Sequence, residues 1–171
     1  MDIVVTRKIG APFNEELAIG AVDSGSVKML DHPAIKMIGV SDEYIEKEAM
    51  CKAEEAMSRI KKYRGNDKYD DISGKNVLLV DDGIATGYTM IAAINFLKEL
   101  KPKRLILGTP VIAPDTLTEM EKLVDELAYV ISEEPFYAVG QFYKRFSRVS
   151  DTEVMMVLNK RGFPRNTSAL P

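Results

Sequence analysis

The chain has 171 residues, a formal net charge of −3, a pI near 5.3 and 46% hydrophobic residues. This length predicts one domain with a sizeable core, and the acidic balance argues against a general nucleic-acid or membrane-surface role, which usually needs a concentrated basic face. The single cysteine, Cys51, excludes an internal disulfide. Since no signal-type segment or long apolar run occurs, we expect a cytoplasmic protein.

The first third of the chain predicts a β-rich region followed by one long helix. We expect a strand at 2–6, then strands at 17–22 and 27–30 joined by a turn of typical composition, D-S-G-S. Ser41 is a candidate N-cap for a helix that runs to Tyr63 and ends at Gly65. The helix has an apolar stripe at helical spacing, formed by Ile45, Ala49, Ala53, Ala56, Ile60 and Tyr63.

From residue 77 onward, strands and helices alternate, which predicts a parallel sheet. Strands are expected at 77–80, 105–107 and 128–131, and the unbroken apolar run at 77–80 favours a strand covered on both faces. Helices are expected at 87–100 and from Pro114. The helix from Pro114 would direct five apolar side chains towards the core: Leu117, Met120, Leu123, Val124 and Leu127. A last helix is predicted by a capping box, Ser150 with Glu153, and should stop at Gly162.

Two carboxylates and a glycine-bearing turn follow the strand at 77–80. Asp81 and Asp82 would lie at the sheet edge where open α/β proteins bind ligands, and adjacent carboxylates there accept hydrogen bonds from ribose hydroxyls or hold a hydrated divalent ion. The turn is Gly83-Ile84-Ala85-Thr86-Gly87-Tyr88-Thr89. Its glycines allow close backbone approach, and the N–H groups of a helix that starts near Gly87 would receive a phosphate. The pattern predicts a sugar-phosphate site.

The run V-L-L-V-D-D-G-I-A-T-G-Y-T-M resembles the 5-phosphoribosyl 1-pyrophosphate (PRPP) motif of type I phosphoribosyltransferases. The segments T-R-K-I-G-A-P at 6–12, E-L-A-I-G-A-V at 16–22, F-Y-A-V-G at 136–140 and S-D-T-E-V at 150–154 are similar to a subgroup of that family. The resemblance implies an α/β fold, a three-layer parallel sheet flanked by helices with a small β-rich hood at about 10–40. It also implies a single domain over 1–171 and a homodimer.

The resemblance further implies transfer of the 5-phosphoribosyl group from PRPP to a nitrogen acceptor such as a nucleobase, with release of pyrophosphate. It assigns PRPP binding to Asp81, Asp82 and the turn at 83–89, with Mg²⁺ held through the two acids. Arg7 and Lys8, which in the family follow a core strand, complete the catalytic set by neutralising the pyrophosphate.

Aromatic residues after the last core strand are where related enzymes stack the acceptor, which makes Phe136 or Tyr137 the candidate acceptor contact. His32 is interpreted as a loop histidine and Cys51 as an unreactive thiol.

One departure from the family keeps alternatives open. The sequence contains no P-R-G-G-type loop, which in the family receives the pyrophosphate on a strand between the Arg-Lys and Asp-Asp strands. The Arg-Lys strand and the Asp-Asp strand would then pair directly with each other, or a partner subunit would cover the sheet. A noncatalytic PRPP or nucleotide sensor that acts through a protein partner is therefore the alternative function. A phosphoacceptor receiver-like domain is a second rival, because L-V-D-D also suits its acidic strand end; the T-G-x-T turn argues against it.

Overall fold

The structure, a computed structural model, describes residues 1–24, 28–66 and 69–160. They fall into two compact units. The first comprises described residues of Met1–Tyr69 and Ser147–Pro171, and the second is Asp70–Phe146. The interpretation as a single domain stays a prediction. Among the described helices, none combines the length and apolar character needed to span a bilayer.

The first unit contains an antiparallel sheet in the order β1-β2-β3, with β1 at Thr6–Ala11, β2 at Asn14–Asp23 and β3 at Lys28–Leu30. The predicted hairpin of β2 and β3 is confirmed by the pairing of Gly20 with Leu30. Val27 and part of the connecting turn lie outside the described residues. The hood region at 10–40 thus contains the hairpin that the sequence indicated.

The predicted first strand was wrong, because the strand begins at Thr6 rather than ending there. Thr6 lies opposite Asp23, the last residue of β2, so residues 2–5 have no partner in this sheet. Instead, the Asp2 carboxylate binds the buried Arg64 guanidinium through two contacts of 2.8 and 3.0 Å. Arg7 and Lys8 consequently lie inside β1 and not after a strand.

Residues 32–38 form a helix, α1 (His32–Ile38), where a β-rich region with a loop histidine was expected. The Asp31 carboxylate accepts a first-turn N–H at 2.9 Å, Pro33 occupies the first turn, and Gly39 ends the helix at φ 74°. These local helix signals decide the structure of residues 32–38, although strands precede them in the chain. His32 is therefore the first residue of a helix.

The long helix α2 (Asp42–Arg64) and the last helix α5 (Asp151–Lys160) confirm their predictions. Ser41 caps α2, Gly65 ends it, and every residue of the predicted apolar stripe is buried. Part of that stripe packs with the sheet residues Ile9, Ile19 and Val22 to form the core of this unit.

At the start of α5, the Ser150 N–H donates to the Glu153 carboxylate at 2.8 Å and the Glu153 N–H donates to the Ser150 hydroxyl at 3.3 Å, which together form the predicted capping box. The expected stop at Gly162 lies outside the described residues.

The second unit contains the predicted parallel sheet, in the order β4-β5-β6. Its elements are β4 (Asn76–Val80), α3 (Tyr88–Glu99), β5 (Arg104–Val111), α4 (Pro114–Leu123), β6 (Glu126–Ile131) and a short 3₁₀ turn, Val139–Phe142. Both β5 and β6 are longer than predicted. Gly108, Thr109 and Val111 extend β5 by pairing with β6, and Glu126 and Leu127 extend β6 by pairing with β5. Leu127 therefore lies in a strand and not on the inward face of α4.

The prediction that β4 is covered on both faces was wrong. Leu78 and Val80 are each 63% exposed, whereas Val77 and Leu79 are half-buried. Successive side chains of a strand point to opposite faces, and β4 is an edge strand of this three-stranded sheet. The apolar run at 77–80 thus belongs to a strand with only one covered face.

Candidate functional site

Asp81 and Asp82 directly follow β4, as predicted. The Asp82 N–H donates a hydrogen bond to the Asp81 Oδ1 at 2.9 Å. Partial loss of water around the Asp81 carboxyl raises its pKa, the Asp82 N–H opposes that rise, and the Asp82 carboxylate adds to it. A cation or a pair of hydroxyl donors at this position would favour the charged form of Asp81.

Backbone hydrogen bonds join the turn that follows Asp81 and Asp82 to the connection between β5 and α4. The buried Ile84 donates its N–H to the Val111 carbonyl and accepts the Ala113 N–H, both at 2.9 Å, and forms a parallel bridge with Ile112. The turn therefore extends the sheet by one residue pair at the carboxyl ends of the strands, which is the edge that the sequence predicted for the site.

Gly87 begins α3 in a conformation that suits glycine. Its φ is 79°, and a Cβ there would lie 2.7 Å from the Thr116 Cγ2 and 2.9 Å from the Met120 Cε. Gly87 is the N-cap residue of α3 and has no side chain with which to cap the helix. Helix N–H groups without a side-chain cap, together with the helix dipole, suit an anion.

A cavity of about 170 Å³ opens beside this turn. It is lined by Asp81, Gly83, Ile84, Ala85, Thr86, Gly87, Thr89, Met90 and Val139. The structure thus brings together, around one space, seven of the nine residues predicted to bind PRPP. Asp82 and Tyr88, the other two, are adjacent in sequence to this lining.

Residues 136–143 contribute to the site in a way that the sequence did not predict. Val139 packs against Gly83, where a Cβ would lie 2.2 Å from the Val139 Cγ1. The predicted acceptor contacts are absent from the cavity lining: Phe136 stacks on Phe142 with ring centroids 5.3 Å apart, and Tyr137 is 83% exposed. Their acceptor role stays a prediction. The sequence included Val139 only in the family-like segment F-Y-A-V-G and gave it no role, because a valine suits many packed positions.

Arg7 and Lys8 belong to the first unit. They are consecutive residues of β1, so their side chains leave opposite faces of the strand. The Arg7 Nε is 3.7 Å from Glu55 and makes no hydrogen bond to the described residues. Burial, and next the charge of Arg59, lower the Arg7 pKa, while Glu55 opposes this. An anion would satisfy this guanidinium.

Comparisons with known proteins show the family to which the sequence is similar. A family model described as "phosphoribosyl transferase domain" matches residues 8–144. The chain is 29% identical over 163 residues to "Putative phosphoribosyl transferase Rv0571c" of Mycobacterium tuberculosis, covering 94% of this chain and 36% of that protein. It is 33% identical over 132 residues to a ribose-phosphate pyrophosphokinase of Pyrococcus abyssi, covering 74% and 43%. The chain thus spans less than half the length of these relatives.

A solved structure is also similar. The crystal structure of TT1426 from Thermus thermophilus superposes with a TM-score of 0.71 at 33% identity, and the match covers 93% of this chain and 75% of that one. The likeness extends over both units of the chain.

Proposed function

Because this chain belongs to the phosphoribosyltransferase family, we propose that it binds PRPP and transfers the 5-phosphoribosyl group to a nitrogen acceptor, releasing pyrophosphate. The observation that carries the proposal is the cavity beside Asp81 and the turn at 83–89. It combines a carboxylate, two threonines and the start of a helix without a side-chain cap, which are the groups that a ribose 5-phosphate requires.

The 5-phosphate would bind at the start of α3. The backbone N–H groups there and the hydroxyls of Thr86 and Thr89 are hydrogen-bond donors for a dianion, and the helix dipole adds to the attraction. The ribose would lie towards Asp81 and Asp82, whose carboxylates accept hydrogen bonds from its vicinal hydroxyls. Holding both ends of the sugar phosphate fixes the anomeric carbon for an in-line, inverting attack.

The same two acids suit Mg²⁺. Adjacent carboxylates are hard oxygen ligands, and within residues 1–24, 28–66 and 69–160 no group of three or more His, Cys, Asp or Glu side chains is arranged to hold a metal. We therefore propose that Asp81 and Asp82 hold Mg²⁺ together with oxygens of the donor. The ion, when bound, would supply positive charge to the pyrophosphate.

Arg7 and Lys8 are proposed to neutralise the departing pyrophosphate, a role that rests on the family resemblance. Arg7 is the better supported of the two, because its Nε lacks a hydrogen bond within the described chain. Phe136 or Tyr137 is proposed as the acceptor contact on the same basis. A homodimer acting in the cytoplasm completes the proposal, and sedimentation of the purified protein tests the dimer.

Calorimetric titration with PRPP and Mg²⁺, followed by an assay of pyrophosphate release with candidate bases, tests this function. Asp82→Asn should weaken PRPP binding by about 10-fold or more, because it removes a charged hydrogen-bond acceptor. Asp115→Asn is the matched control, since Asp115 is an exposed acid on α4 outside the cavity lining. Full PRPP affinity in Asp82→Asn would exclude the assignment.

The titration also separates the alternatives. Tight PRPP binding without pyrophosphate release from any base would favour the sensor. Formation of PRPP from ATP and ribose 5-phosphate would instead favour the chemistry that the name of the Pyrococcus relative states for that protein.

A further inference from the structure

Thr116 connects α4 to the turn that lines the cavity. Its hydroxyl donates a hydrogen bond to the carbonyl of Ala85, 31 residues earlier in the chain. The residue is buried, with 6% of its surface exposed. A threonine in the first turn of a helix usually bonds backbone groups nearby in sequence, so a bond to a distant loop calls for a reason.

That reason follows from the geometry of a peptide group. In a trans peptide the carbonyl and the N–H of the next residue point in opposite directions. The one cis bond among the described residues joins Glu134 and Pro135, so the peptide between Ala85 and Thr86 is trans. A carbonyl held towards α4 turns the Thr86 N–H away from α4, and both residues of this peptide line the cavity.

We propose that Thr116 is a positioning residue, which holds the Ala85 carbonyl so that the Thr86 N–H faces the cavity and donates to an anionic ligand oxygen. Its methyl group contributes separately, because it packs where a side chain at Gly87 would lie and so maintains the backbone at the start of α3. This inference rests on the proposed function, since the anion it serves is the 5-phosphate.

A merely structural role for Thr116 would have different consequences, and Thr109 provides the matched comparison. Thr109 is also buried in this unit, and its hydroxyl donates to the Val111 carbonyl at 2.9 Å. In Thr109→Val the Val111 carbonyl would still accept the Ile84 N–H. The two threonines thus share burial and bond type but differ in the peptide that they hold.

The experiment compares Thr116→Val, Thr116→Ser and Thr109→Val with the unsubstituted protein. Ribose 5-phosphate affinity is measured by calorimetry, stability by urea unfolding, and the orientation of the Thr86 N–H by its residual dipolar coupling in NMR. Thr116→Val should weaken ribose 5-phosphate binding about 5- to 10-fold, the cost of one misplaced hydrogen bond, and Thr116→Ser should stay within about 3-fold. Thr109→Val should lower the urea midpoint but leave the affinity unchanged.

Two outcomes would overturn the proposal: Thr116→Val with full affinity, or an equal loss of affinity in Thr116→Val and Thr109→Val. If the unsubstituted protein does not bind ribose 5-phosphate, the proposed function fails. The Thr86 amide then still tests whether Thr116 orients this peptide. The N–H residual dipolar coupling of Thr86 should then change in Thr116→Val and not in Thr109→Val; an unchanged coupling would refute the positioning role. Should Thr116→Val not fold, Thr116→Ala compared with Thr116→Ser isolates the hydroxyl, with the same expected ratio.

Discussion

The phenol oxygen of Tyr143 lies 2.6 Å from the backbone carbonyl oxygen of Asp82 and donates a hydrogen bond to it. The Tyr143 ring also packs on Phe146, with ring centroids 5.0 Å apart. Together with Val139 against Gly83, this bond gives the acidic loop a second point of attachment to the stretch that follows β6. Tyr143 therefore restrains the backbone of a residue that we assign to the ribose and to Mg²⁺.

Tyr143→Phe should keep the ring packing and lose the hydrogen bond. We expect the free energy of unfolding to fall by about 0.5–1.5 kcal/mol, the usual net value of one hydrogen bond, and PRPP affinity to fall several-fold because the Asp82 backbone is less restrained. Urea unfolding and calorimetry measure both. Tyr129→Phe, which alters an exposed tyrosine of β6, is the control, and identical behaviour of the two variants would contradict the anchoring role.

Gly83→Ala should disturb the site through a steric clash. The new Cβ would lie 2.2 and 2.7 Å from the two methyl carbons of Val139, which is closer than such atoms approach, so Val139 must move. Overpacking of this kind costs about 1–3 kcal/mol in the free energy of unfolding. The double variant Gly83→Ala, Val139→Ala should recover part of that loss. If the cost of Gly83→Ala is the same with and without Val139, the contact is not its cause.

Asp81→Asn should stabilise the free protein near neutral pH while weakening PRPP binding. The folded-state pKa of Asp81 is raised, so the folded protein holds this proton more tightly than the unfolded chain, and ionisation lowers stability as the pH rises through that range. Asparagine does not ionise. The unfolding midpoint of Asp81→Asn should exceed that of the unsubstituted protein at pH 7.

The advantage of Asp81→Asn should shrink below the ordinary pKa of 3.8, where the acid is protonated in both states. Midpoints measured from pH 3 to pH 8 test this. A lower midpoint for Asp81→Asn than for the unsubstituted protein at pH 7 would refute the effect.

Asp151→Asn should show the opposite dependence on pH. Lys62, 2.6 Å away, and the Tyr63 hydroxyl bond the Asp151 carboxylate and lower its pKa to about 2. A lowered pKa contributes stability that is complete above the ordinary value of 3.8 and is lost as the pH falls through about 2. The variant should therefore have the lower unfolding midpoint at pH 7, with the difference closing between pH 4 and pH 2.

Asp42→Asn controls for the helix dipole, because Asp42 and Asp151 each occupy the first turn of a helix. If the two variants lose equal stability at pH 7, the bonds from Lys62 and Tyr63 contribute nothing beyond the dipole.

The elements that could be predicted from the sequence are those whose signals are local. Both ends of α2 follow from Ser41 and Gly65, and its buried face follows from helical spacing. The start of β1 could not be predicted in this way, because residues 2–5 are as suitable for a strand as those that follow. What decides the boundary is that β2 ends at Asp23, opposite Thr6.

The same distinction between local signals and tertiary contacts applies to the candidate site. The two acids and the phosphate turn are contiguous in sequence, so their residue types and order predict the lining of the cavity. Thr116, Val139 and Tyr143 reach the turn from later parts of the chain. Neither spacing nor composition predicts that they contact this turn, since their contribution depends on tertiary contacts of common residue types.

The exposed face of β4 leads to a comparison of two leucines. Leu78 on β4 is 63% exposed, whereas Leu107 on β5 is fully buried, although both lie in the same sheet. Leu107→Ala should lower the free energy of unfolding by about 2–5 kcal/mol, because it removes buried methyl groups and leaves a cavity. Leu78→Ala should cost less than about 1 kcal/mol, because most of that side chain already contacts water. Urea unfolding at two protein concentrations measures both, and a cost for Leu78→Ala as large as that for Leu107→Ala would mean that this face of the sheet is covered in solution.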